Sequence, residues 1–128
     1  MAIRIVRLGS ARQRGEGLRL GTVRHPPRGV AKAQLAARDF YDAWVPELAP
    51  SAALVKSGRA SGSAREWSTF STRYRREMAT PDKVHLLRLL AALSAKTDFS
   101  VGCYCADETQ CHRSILRALL AEHGAVFH

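Results

Sequence analysis

Apolar and polar positions first alternate along this chain, then shift to helical spacing, then alternate again. Ile3-Arg4-Ile5-Val6-Arg7-Leu8 reads as a strand closed by Gly9-Ser10, and residues 11–17 form a basic, glycine-punctuated loop. Leu18-Arg19-Leu20-Gly21-Thr22-Val23 alternates once more, and the short link permits a hairpin between the two strands. Arg24-His25-Pro26-Pro27-Arg28-Gly29 cannot continue a strand, because two prolines remove consecutive backbone donors. The spacing then predicts a helix over 31–48, with Leu35, Phe40, Tyr41, Trp44 and Val45 facing the core, ended or kinked at Pro46. Ser51 is a good N-cap for a short turn through Leu54 and Val55, and 58–63 is a small-residue loop, the expected mobile tip.

A second helix is predicted over 64–79, where Trp67, Phe70, Tyr74 and Met78 make a core stripe. Thr80-Pro81 opens a third, running through Val84, Leu87, Leu90, Ala91 and Leu93. Phe99, Val101, Cys103 and Cys105 then alternate as a strand. A polar loop follows, and a helix carries Ile115, Leu116, Leu119 and Leu120. Thr109 is its candidate N-cap, with Asp107 and Gln110 leaving the start open, and Gly124 suits the residue after its end. Ala125-Val126-Phe127 reads as a last short strand.

The resulting order, β-β-α-α-α-β-α-β, is that of a single α/β domain over residues 1–128, with a small, mostly parallel sheet flanked by helices in two or three layers. Helical crossovers separate the second, third and fourth strands, so these are expected to pair in parallel. Ligands of such sheets sit at the carboxyl ends of the strands. The 24–29 and 105–113 loops should therefore share one edge, where Arg24, Arg28 and Arg113 could face a common anion.

Charge sharpens that expectation. Residues 1–38 hold eight arginines and Lys32 against Glu16 alone, so this third carries a net +8 of the chain's +9. Arginine is the better bidentate partner for phosphate and carboxylate, whereas a solvated surface is the plainer explanation of the excess. The arginines within the first apolar run argue against a signal peptide. No segment reaches the roughly twenty apolar residues of a membrane span. The simplest location is the cytoplasm, and three cysteines, two of them only two apart, do not make a disulfide framework.

All three cysteines and His112-Arg113 fall at the last strand-to-helix junction. A fixed cation at Arg113, in the first helical turn, opposes the positive end of the helix dipole and calls for an anionic partner. Four readings of the cluster stand side by side. A phosphatase-type loop wants Cys and Arg six apart, but Arg113 lies eight after Cys105. A zinc site could use Cys103, Cys105, Cys111 and His112, yet Cys-x-Cys on one strand is not the common spacing, and no metal or other cofactor is assigned. A reactive thiol is favoured at Cys105 or at Cys111, beside a helix start and two basic residues. Buried strand cysteines with a capping His-Arg pair are the fourth reading.

Cys105-Ala106-Asp107 followed by Cys111-His112-Arg113-Ser114 resembles the Cys-x-Glu…Cys-His-Arg signature of the domain-of-unknown-function 488 family. Arg24-His25-Pro26-Pro27-Arg28-Gly29 with Lys32 is similar to the Arg-x-x-Pro-Arg-Gly loop of its YeaO-like branch. Trp44, Leu48-Ala49-Pro50-Ser51, Trp67, Phe70, Tyr74 and Glu77 look like that branch's middle section, so the resemblance spans nearly the whole chain. Val23 stands where the family usually has Asp, and Asp107 where it has Glu. The resemblance implies a compact α/β domain with a polar site at these loops and supplies no reaction.

The functional expectation is a site for an anionic small molecule or a nucleotide phosphate. Arg24, Arg28, Lys32 and Arg113 would bind it, Cys105 or Cys111 would be the nucleophile, and His112 or Asp107 the proton carrier. The alternative is a nucleic-acid-binding protein whose basic N-terminal third tracks phosphates. No membrane partner is expected, and the oligomeric state is left open.

Overall fold

The computed structural model describes residues 1–59, 63–105 and 111–128. Four strands, β1 (Ile3–Arg7), β2 (Leu18–Gly21), β3 (Ala43–Trp44) and β4 (Phe99–Cys103), form one sheet in the order β1-β4-β2-β3. Every pairing is parallel, so the expected α/β class holds. The helices are α1 (Ala52–Arg59), α2 (Ala64–Glu77), α3 (Pro81–Ser94) and α4 (His112–Glu122). All four contribute to one apolar cluster with one face of the sheet. Leu54, Phe70, Tyr74, Leu87, Leu90, Ile115, Leu116 and Leu120 pack there with Ile3, Phe99 and Val101.

The helical layer covers a single face. On the other, Arg19 and Ser100 stand opposite one another in the ladder and are fully buried beneath the loops that follow β1 and β2. Glu16 from the first loop meets them. Arg19 Nε and Nη2 donate to the two Glu16 carboxylate oxygens at 2.7 and 3.0 Å, and the Ser100 hydroxyl donates to one of them at 2.8 Å. Arg19 Nη1 donates to the Ser10 and Asp39 carbonyls, which ties both loops to the strand. A buried ion pair so fully hydrogen-bonded fixes geometry more than it adds stability.

Three expectations need correction. The first two strands are not a hairpin: β4 lies between them and pairs with both. A parallel edge on each side of the apolar β4 buries more than a polar-faced hairpin could. The helix expected over 31–48 is instead a 3-10 turn at Lys32–Gln34, the strand β3, and a second 3-10 turn at Pro46–Leu48. Asp39, with φ of 61°, sits in the left-handed region and breaks any helix there. Bonds to β2 then win, Asp42 N to Arg19 O and Val45 N to Gly21 O. Trp44, expected inside, is 45% exposed, with its indole N–H donated to the Val23 carbonyl at 2.7 Å. The third correction is at the C-terminal end, where the expected strand is a single parallel bridge between Ile3 and Phe127.

Elsewhere the boundaries follow the pattern. Ser51 does cap α1, accepting from Leu54 N at 3.3 Å. Thr80 precedes Pro81 at the start of α3, although its hydroxyl donates to Asp82 rather than capping the helix. The N-cap residue of α4 is Cys111 rather than the expected Thr109, and Gly124, with φ of 87°, follows its end. Thr109, Asp107 and the centre of the 58–63 loop lie outside the described residues.

Candidate functional site

Parallel pairing of β2 with β4 brings the ends of both strands to one edge, as the topology required. A cavity of about 300 Å³ opens there. Its polar wall is made of Cys103, Cys105, Cys111 and His112, with Arg24 and His25 beside them. Val55, Trp67 and Phe70 supply the apolar wall. Trp67 and Phe70 stack with centroids 5.3 Å apart and planes within 14°. The sequence presented these rings as a core stripe. Their spacing of three places them on one helix face, where half-buried Trp67 and buried Phe70 both line the cavity.

His112 is held from two sides. Its Nε2 must carry the proton, because it lies 2.7 Å from the Thr22 carbonyl oxygen, which can only accept. Tyr74 meets the ring edge-on at 5.6 Å. Nδ1 is therefore the free lone pair, and it points at Cys111 Sγ, 3.7 Å away. Burial lowers the imidazole's pKa to about 4, so it stays neutral at physiological pH.

The thiols form a hydrogen-bonded set. Cys103 and Cys111 are 2% exposed, whereas Cys105 is exposed at the strand's exit. Hydrogen bonds from Cys103 and then Cys111, together with the charge of Arg113, hold the Cys105 thiol far below its ordinary value against the opposing effect of burial. Cys103 moves up, through its hydrogen bonds to Cys105 and Cys111 and through burial. Cys111 is pushed up to about 11: the hydrogen bond with Cys103 favours its thiolate, but the one to Cys105 and burial outweigh it. The donor atoms of Cys103, Cys111 and His112 lie within 4.8 Å of one another, and such donors are of the type zinc takes. The same atoms also belong to the thiol set, in which Cys103 and Cys111 donate and Cys105 accepts.

The predicted cations are distributed differently. Arg24 lines the cavity and donates through Nε and Nη2 to the Pro50 and Ala49 carbonyls. Arg28 and Lys32 are exposed and stand outside the lining. Arg113 is 3% exposed and lies behind Cys105, whose carbonyl accepts from Nη2 at 2.6 Å. Its Nε has no partner among the described residues. Of the N-terminal arginines, Arg19 is consumed by Glu16, and Arg12 pairs with Asp42 and Asp39. Asp107 falls outside the described residues.

The fold and this edge define an α/β domain with a cysteine-lined pocket at the carboxyl ends of its parallel strands. A family model described as the active DUF488-N3 subclade (DUF488-N3a) matches residues 3–124, and the chain belongs to this family, whose function is uncharacterised. No curated protein and no solved structure matches it. None of the described helices is long and apolar enough to cross a membrane.

Proposed function

We propose that the protein is a thiol-dependent enzyme acting on a small anionic molecule, with Cys105 as its nucleophile. The observation that carries the reading is the position of Cys105: exposed, at the end of β4, in a cavity where two buried thiols donate to it and a buried guanidinium stands behind it. Such a thiol is a thiolate at neutral pH and needs no separate base to become a nucleophile. Arg24 and His25 line the same cavity and suit a negatively charged group, and the Trp67–Phe70 wall suits a flat body such as a nucleobase. Arg113 positions Cys105 through its carbonyl and favours the thiolate. The family description of an active subclade agrees with a working site.

The test is alkylation by iodoacetamide at pH 6, followed by peptide mapping, with and without phosphate and nucleotides. The expected result is rapid modification confined to Cys105 and slowed by anions. Labelling as slow as that of an ordinary thiol, with a midpoint near 8.5, would overturn the reading.

A further inference from the structure

The three thiols exceed what a nucleophile needs, and their arrangement separates their roles. Cys105 is exposed in the cavity. Cys111 comes from a different element, the N-cap of α4, and is hydrogen-bonded to Cys105. Its Sγ faces the free Nδ1 of His112 at 3.7 Å, while the opposite ring nitrogen is anchored on Thr22. Cys103 is the last residue of β4, in register with Arg7, and packs with Leu8, Val23, Tyr41 and Cys111 while also reaching the cavity wall. A bridge from Cys103 to Cys105, two residues on, would have to fold back the strand's exit. One from Cys105 to Cys111 joins two residues that lie outside the strands.

We propose that a hydroperoxide joins Cys105 to Cys111 in a reversible disulfide, a modification site built into the pocket. This rests on the reading of Cys105 as the reactive thiol and goes beyond it. The Cys105 thiolate attacks the distal peroxide oxygen, the O–O bond breaks, and the departing alkoxide or hydroxide takes a proton from solvent. Cys105 is then a sulfenic acid. Cys111 attacks that sulfur as its proton passes to His112 Nδ1. The hydroxyl leaves with this proton as water, and the S–S bond closes. One peroxide is reduced and two thiols are oxidised. The product blocks the nucleophile while sparing it from the irreversible sulfinic acid, and a dithiol reductant restores it by exchange.

The experiment treats the intact protein with stoichiometric hydrogen peroxide, blocks remaining thiols with N-ethylmaleimide, and maps the peptides. Cleavage after Glu108 separates Cys103 and Cys105 from Cys111, so a 105–111 bridge appears as two peptides held together until reduced. The expected result is loss of two of the three thiols, with Cys103 carrying the maleimide, and full recovery with dithiothreitol. In Cys111→Ser, Cys105 should instead proceed to sulfinic acid and not recover. A bridge that includes Cys103, or sulfinic acid at Cys105 in the wild type at the rate seen in Cys111→Ser, would overturn the proposal. The wild-type map needs no variant to fold. Iodoacetamide labelling without peroxide separates the two claims: a fast Cys105 that forms no bridge sinks only this inference, and a slow one sinks the nucleophile.

Discussion

His112 and Thr22 are joined by a 2.7 Å hydrogen bond from the ring Nε2 to the backbone carbonyl, across ninety residues of chain. The bond ties the first turn of α4 to the residue that follows β2. It also decides the tautomer, and thereby the direction in which the remaining lone pair can act.

That ring should make folding acid-sensitive in a defined window. Its folded pKa of about 4 lies below the ordinary 6.5, so between these values the unfolded chain binds the extra proton. Stability is then full above pH 6.5 and falls as pH drops toward 4, by on the order of 3 kcal/mol at 1.4 kcal/mol per unit. His112→Gln keeps a donor for Thr22 but cannot titrate. Urea unfolding at pH 7, 5.5 and 4.5 should show the loss in the wild type and a flatter profile in the variant.

Arg113 should matter to Cys105 more than to the fold. Among the described residues its buried guanidinium has no partner at Nε, and an apolar residue of similar length loses the bond to the Cys105 carbonyl. Arg113→Met is expected to stay folded, to raise the pH midpoint of Cys105 alkylation, and to lose any thermal stabilisation by phosphate, sulfate or nucleotides. A midpoint identical to wild type would remove Arg113 from the site.

Glu16 should be far more costly to alter. Burial opposes its charge, but Arg19, the Gln13 N–H and the Ser100 hydroxyl together hold its pKa at about 2. Glu16→Gln leaves the Arg19 cation buried without a counter-charge, which costs about 3–5 kcal/mol. In the wild type this pair's contribution is present above pH 4.5 and is lost as pH falls through 2, a window below that of His112. Thermal melts of the variant at pH 7 would check the first statement, and acid titration of the wild type the second.

Gly102 sits where two strands of the sheet approach closely. A Cβ there would lie 2.6 Å from the Val6 carbonyl oxygen and 2.9 Å from Leu8 Cδ2. Gly102→Ala should destabilise by about 1–3 kcal/mol, because backbone on the neighbouring strand must yield. A denaturant midpoint equal to wild type would show that β1 shifts freely.

How much of this was legible in the residues depended on whether local or distant partners decided the outcome. The strands of β1, β2 and β4 announce themselves by alternation, and α2 and α3 by their stripes, since burying one face needs only the right period. The class and the shared edge of two loops followed from order alone. Residues 31–48 misled because Leu35, Phe40, Tyr41 and Val45 do become buried or half-buried, but through contacts with β2 and the loop after β1. Nothing local says that Asp42 will bond Arg19. At the site, the thiols, His112, Arg24 and Arg113 stood out by type and position. The Trp67–Phe70 wall did not, because a ring beside a cavity and a ring in a core share one spacing.

The central position of β4 carries a consequence for the chain as it is made. β1 and β2 never pair with one another, and each finds its main partner only in Phe99–Cys103. On a ribosome, the first two strands must therefore wait through three helices before that partner is made. Of the strand pairings, only the two-residue one between β2 and β3 is available before then. The sheet and the cysteine pocket thus come into being in one late step, when the same short segment that closes the ladder delivers Cys103 and Cys105.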